Sequence, residues 1–290
     1  MKALLLAAAA LVYAPLAAAE ETYDLSEREP VVGQKTESLR VFDGTNGKMT
    51  LFVNGKPAAT GTTTFRSEVK SVTTIHEVED GHPSAYTEVI TASAIRSTRD
   101  FMGQKADETS ASPLLNAEVR YTLVDGEYVP ELANATDEQR EELEPEFFTT
   151  VSAYPDRPMK IGDIFELTPE MVAAMTDQEF DPEQEAVGSG RLKLNAVEVV
   201  GGERCGVLGG ELKIKAPMNE RDVPEGMDSG EIELEVTGKI VRSLETLIDV
   251  KVDLKGKTRF KYRWTEDGQP LELVVEMDVE LTGYEKLLAE

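Results

Sequence analysis

Few residues in this chain have the type and spacing to do chemistry. The two histidines, His76 and His82, sit among Glu77, Glu79 and Asp80, a mixture that can hold a divalent metal when the imidazoles converge. Their spacing fits no helical ligand motif, and His82 precedes Pro83 at a turn, so no metal is expected there. Asp177, Glu179, Asp181, Glu183 and Glu185 alternate in one stretch without the glycine-turned loop of a tight calcium site, and read as a solvated acidic loop. Ser67 and Lys70 have a serine–lysine spacing, but in a strand positions three apart face opposite ways. Cys205, the one cysteine, has no histidine near it in sequence and reads as a small buried hydrophobe. No G-x-S-x-G, phosphate-cradling loop or dinucleotide fingerprint occurs, so no cofactor is expected. Carboxylate pairs abound among 55 acidic residues, which makes any one pair uninformative as a hydrolase signal.

The elements that would position these residues are mainly strands. Period-two alternation punctuated by Asn54-Gly55, Asp80-Gly81, Asp125-Gly126, Gly201-Gly202 and Asp267-Gly268 predicts antiparallel hairpins. The expected fold is mainly β: antiparallel meander sheets, two curved sheets in tandem of half-barrel or sandwich type, with two short helices. Thr136 with Gln139 forms a capping box for one helix, and Thr168-Pro169-Glu170 starts the other, whose apolar face is Met171, Val172 and Met175. The C-terminal half is expected to hold strands over 247–254, 258–264 and 271–281, among others. Leu115 to Tyr121 with its Asp125-Gly126 turn resembles Leu254 to Phe260 with Asp267-Gly268, which raises the idea of a distant internal repeat. Domain limits follow: a leader over 1–19, a loose lead-in over 20–32, an N-terminal β unit over 33–153 and a C-terminal one over 154–290, unless the two are one continuous unit.

One stripe stands out. Lys255, Lys257, Arg259, Lys261 and Arg263 share a strand face, while Phe260, Tyr262 and Trp264 share the other. With Asp267-Gly268 as the two loop residues, Arg263 faces Glu272, Arg259 faces Glu276, Lys257 faces Asp278 and Lys255 faces Glu280. On the opposite face Trp264 meets Leu271, Tyr262 meets Leu273, Phe260 meets Val275 and Leu254 meets Leu281. Lys261 opposite Val274 is the exception. A slip of one residue would misplace every side chain, so the register is strongly specified and the basic stripe is neutralised within the sheet. The aromatic ladder reads as core. If the sheet instead curves around a ligand, its lining is Phe260, Tyr262, Trp264, Leu271, Leu273 and Val275, extended by Ile248, Val250 and Val252 from neighbouring positions.

The net charge of -25 excludes nucleic acid as a partner, because the two surfaces share a sign. Met1-Lys2, the apolar run from Ala3 to Tyr13 and Ala17-Ala18-Ala19 have the layout of a cleavable secretory signal, and no later run is long and apolar enough to span a bilayer. The chain is therefore expected outside the cytoplasm, periplasmic or extracellular, with stability from burial alone, since one cysteine cannot make an internal disulfide. Asn134-Ala135-Thr136 is a glycosylation sequon, relevant only where exported proteins are glycosylated.

The run Tyr154-Pro155-Asp156-Arg157-Pro158-Met159-Lys160-Ile161-Gly162-Asp163 precedes a strand-rich half containing Gly238 to Gly256 and the Asp267-Gly268 hairpin. In this the chain resembles exported bacterial β-rich proteins of unknown function. Such proteins look similar in shape to the periplasmic lipoprotein carriers, whose curved half-barrels hold acyl chains. The resemblance implies a non-catalytic module for a lipid-like ligand or an envelope partner. Two other readings stand beside it: a structural or interaction protein of the cell envelope, and a carboxylate hydrolase, which needs two facing carboxyls with one of them held protonated.

Overall fold

A computed structural model describes residues 21–143, 145–176, 187–218, 223–224 and 226–289. The expected leader and the acidic run 177–185 lie outside the described residues. Among the described residues thirteen strands form one antiparallel sheet: β1 (Lys35–Val53), β2 (Lys56–Glu79), β3 (His82–Phe101), β4 (Gln104–Ser110), β5 (Glu118–Val124), β6 (Glu127–Glu131), β7 (Glu146–Phe147), β8 (Ile164–Leu167), β9 (Val187–Val200), β10 (Glu203–Pro217), β11 (Ser229–Ser243), β12 (Asp249–Glu266) and β13 (Gln269–Leu287). Two short helices are α1 (Asp137–Glu142) and α2 (Pro169–Thr176).

The strand order is β7-β6-β5-β3-β2-β1-β13-β12-β11-β10-β9-β8, with β4 also paired to β3. The halves thus do not make two sheets in tandem. β1 and β13 join them, pairing from Thr36 opposite Leu287 to Val53 opposite Leu271. This is an up-and-down meander whose first and last strands pair, left open between β7 and β8 in mid-chain. Eleven strand steps at about 4.8 Å make the sheet about 53 Å wide if flat. The connection 148–163 links its two ends and reaches only about 60 Å fully stretched. That connection turns at Ser152, and again where Asp163 N–H donates to the Lys160 carbonyl. A flat sheet would leave that connection almost no slack.

The hairpin turns have the expected chemistry. Asn54 and Gly55 (φ 51° and 74°) and Asp267 and Gly268 (φ 50° and 74°) take the left-handed pair of a two-residue loop whose twist matches the strands. The expected strands 247–254 and 258–264 are one strand, β12. Gly256 does not break it. It lets β11 approach, because a Cβ there would lie 1.8 Å from the Glu235 carbonyl. The repeat candidates differ in setting: Leu115 precedes the seven-residue β5, whereas Leu254–Phe260 lies inside the 18-residue β12. In α1 the capping box is closed in both directions, with Thr136 Oγ1 accepting from Gln139 N–H at 3.2 Å and Gln139 Oε1 from Thr136 N–H at 3.0 Å. In α2, Thr168 Oγ1 accepts from Met171 N–H at 3.3 Å and Val172 is fully buried.

One face of the sheet is apolar. Leu192, Leu194, Leu208, Leu212, Val236, Ile240, Val275, Met277 and Val279 form a continuous buried cluster along it. A second, smaller core joins Leu114, Val119 and Tyr121 to Tyr86 and Tyr128. There Tyr86 stacks on Tyr121 with ring centroids 4.9 Å apart, and burial raises both phenols and pushes Tyr128 to about 12.

Candidate functional site

The β12–β13 hairpin is built as its sequence predicts. Arg263 pairs with Glu272, Arg259 with Glu276, Lys257 with Asp278 and Lys255 with Glu280; Lys261 lies opposite Val274. Ion pairs close at 3.2 Å for Arg263–Glu272 and 3.0 Å for Lys255–Glu280. The alternation continues across further strands. The row Lys215, Glu233, Arg259, Glu276, Lys48 crosses β10, β11, β12, β13 and β1 with a change of sign at every step. Lys261, opposite a valine on β13, is answered from β11 by Glu231 at 3.4 Å. A shallow groove on this charged face is therefore lined by cations and anions that already match each other.

On the opposite face Trp264, Leu271 and Val53 form one row, and Tyr262, Leu273, Leu51 and Ala59 the next. Ile232, Phe260, Val275, Met49 and Gly61 form the third. Phe260 and Tyr262 rings lie 7° from parallel at 6.4 Å. Val275 is buried, whereas Phe260, Tyr262, Trp264, Leu271 and Leu273 stay half-buried. Of the other expected lining residues, Val252 packs against the main cluster. Ile248 is buried in the turn before β12 and not on a strand, its carbonyl accepting from Ser243 N–H at 3.0 Å. Val250 follows at the start of β12, at the irregularity where Arg242 pairs with Asp249 rather than with Val250, and neither it nor Ile248 belongs to the clustered core.

Elsewhere the same apolar face is covered. Leu25, Met159 and Val172 are 0% exposed upon it. Two glycines make the room. A Cβ on Gly206 would lie 2.8 Å from Leu25, and one on Gly188 2.9 Å from Val172. The stretch expected as a loose lead-in is held at several points. Tyr23 and Met159 exchange backbone hydrogen bonds at 2.8 and 2.9 Å, Arg204 reaches Glu21 at 2.7 Å, and Arg28 donates to the Thr246 carbonyl at 2.8 Å.

Beneath that strap lies a polar cluster that period-two reading passed over. Arg242, 3% exposed, donates to the Leu25 carbonyl at 3.1 Å, the Ser26 carbonyl at 2.8 Å and Asp249 Oδ1 at 2.8 Å. Its guanidinium stacks 3.7 Å from the Tyr154 ring centroid, and the Tyr154 hydroxyl donates to Asp249 Oδ2. Burial and the neighbouring Asp249 carboxylate hold the Tyr154 phenol well above its usual range. Glu285 accepts from the Asp249 backbone N–H, and burial followed by the Asp249 charge raises its carboxyl. The cluster has two neighbouring carboxyls, one of them raised, as a hydrolase would need. Both oxygens of Asp249 are committed to Arg242 and Tyr154, and the strap closes over Arg242, so the geometry is that of a structural tie. The missed signal is charge at apolar parity: Arg242 continues the row Val236, Gly238, Ile240, and Glu285 continues Val279, Leu281, Gly283.

The histidines go separate ways. His76 hydrogen-bonds Thr87, while His82 packs edge-on against Phe148 with centroids 5.3 Å apart. Among the described residues no group of three His, Cys, Asp or Glu side chains could hold a metal ion. Lys70 pairs with Glu37 at 2.9 Å, turned away from the face that carries Ser67 opposite Phe42. Cys205 is fully buried, which raises its thiol. Among the described residues no helix is long and apolar enough to cross a membrane.

No protein-family model matches the chain, and no curated protein matches it. Among solved structures, one described as lipid–protein interactions in lipovitellin is similar at 10% identity and a TM-score of 0.33. That similarity covers 87% of this chain and 25% of the other, so the chain spans a quarter of that protein's length.

Proposed function

We propose that the protein is an exported, non-catalytic binding module that takes an apolar, lipid-like ligand on the half-covered end of its sheet. One observation carries this reading. Phe260, Tyr262, Trp264, Leu271 and Leu273 form a contiguous patch with Leu51 and Val53, and all seven side chains stay half-buried although they share a face with a sealed core. A contiguous apolar patch of this kind marks an interaction site, whereas scattered surface hydrophobes do not. The flanking Gly61 and Gly230 receive Phe101 and Met218, whose side chains would lie 2.7 and 2.8 Å from a Cβ there, so the ladder is bordered by apolar side chains on both sides. Each methylene fully buried contributes about 0.8 kcal/mol, so six bring about 5 kcal/mol before the cost of ordering the chain. The groove on the charged face is lined mostly by paired ions rather than apolar side chains.

Native mass spectrometry of the protein purified from its own source without detergent tests this. A co-purifying lipid-sized mass, lost in a Leu273→Asp variant that still folds, is the expected result. A protein that flies bare, or with a protein partner in place of a lipid, would contradict it.

A further inference from the structure

The arginines of β2 and β3 are treated in two ways. On the charged face Arg96 forks onto Asp107 at 2.9 and 3.2 Å, and Arg66 reaches Asp43 at 2.8 Å and Glu68 at 3.2 Å. Arg99 stands on the opposite face, the one that carries the apolar rows, opposite Thr63 on β2 and Ala106 on β4. It is exposed, and among the described residues it has neither a hydrogen bond nor a carboxylate partner. That is so although the chain holds 55 acidic side chains against 30 basic ones. Ser97, two residues along the same face, is half-buried, and its hydroxyl likewise has no partner among the described residues. On the other side of Arg99, Phe101 leads back to the ligand patch. Its ring lies over Gly61, 2.7 Å from where a Cβ would stand, and it continues the row Phe260, Val275, Met49.

We infer that the ligand is a single-chain amphiphile with a carboxylate head, held at Arg99 and Ser97, its chain running past Phe101 and Met49 to Leu51 and Leu273. This names the ligand class of the site proposed above and rests on that proposal. The guanidinium fork matches a carboxylate bidentately and is weakly hydrated for a cation, which suits a place beside an apolar row. The Ser97 hydroxyl supplies a further donor. The length fits as well. From Arg99 on β3 to Leu51 on β1 is two strand steps and two side-chain rows, about 16 Å on a flat sheet. A bilayer core of about 30 Å is two chains deep, so one chain covers about 15 Å. Lys56, the cation at the other end of the patch beside Val53, is exposed at a hairpin tip, where water and salt screen its pull. The net charge of -25 repels an anionic bilayer surface, so the occupant is a dissolved monomer.

Titration calorimetry with a long-chain carboxylate, and with the alcohol and the quaternary ammonium of equal chain length, all below their micellar concentrations, tests this. The wild-type protein should bind the carboxylate about tenfold more tightly than the alcohol, and the ammonium more weakly than either. Arg99→Gln should erase the preference and leave the affinity for the alcohol as it was. Arg99→Lys, which keeps the charge without the fork, should retain part of it. Lys56→Ala should leave the preference intact. Equal affinity for carboxylate and alcohol in the wild type, or a preference that survives Arg99→Gln or vanishes in Lys56→Ala, would overturn the role of Arg99 while the apolar patch keeps its ligand. Binding of none of the three would instead sink the patch as a ligand site, and the head group with it.

Discussion

The apolar face is made by one alternation rule and finished in two ways. On the β8–β11 flank, small residues at apolar positions receive side chains from elsewhere in the chain: Gly206 takes Leu25 and Gly188 takes Val172. The result is a core in which Leu194, Leu208 and Met159 are 0% exposed. At the tips of β1 and β12–β13 the same positions carry Phe260, Tyr262, Trp264 and Leu273, and these stay half-buried. Period-two patterning alone makes a face. The face becomes core where Leu25, Met159 and Val172 return onto it, two of them over Gly206 and Gly188.

Substitutions should break this contrast in a graded order. The largest effect belongs to Asp249→Ala, which leaves the buried Arg242 guanidinium without its carboxylate partner. Losing one member of a buried pair costs about 3–5 kcal/mol, visible as a large drop in the urea midpoint. Leu25→Ala comes next, at about 3 kcal/mol for a fully buried leucine, and should lower the thermal midpoint although residue 25 belongs to no regular strand. At the tips the balance reverses. Leu273→Ala should cost less, about 2 kcal/mol of stability, because the side chain is only partly buried, yet weaken apolar-ligand binding measurably in a titration. Smallest is Arg263→Ala on the charged face. Its pair with Glu272 is half in solvent, so the loss should stay under about 1 kcal/mol and fade with added salt.

What the sequence made legible was the hairpin, and for a physical reason. Between Lys255 and Glu280 two independent alternations, charge on one face and bulk on the other, agree with one turn at Asp267-Gly268, and only one register satisfies all three. The capping box at Thr136 was legible for the same reason, as local chemistry with a fixed spacing. The single sheet was not, because β1 and β13 pair over more than two hundred residues and nothing local announces it. Nor was the strap: Leu25 is one apolar residue in a polar stretch, with no period to reveal that it enters the core. The polar cluster did leave a trace, since Arg242 and Glu285 occupy apolar parity. Reading every parity violation as a candidate buried tie would have found it.

Trp264 is the one tryptophan in the chain and stands in the patch, so its emission reports on that surface alone. Titration with a bromine-labelled acyl chain, below its micellar concentration, tests the central claim. The account predicts a saturable quench of Trp264, abolished in Leu273→Asp and unchanged in Arg263→Ala. Emission that does not respond to the acyl chain in the folded wild-type protein would contradict it.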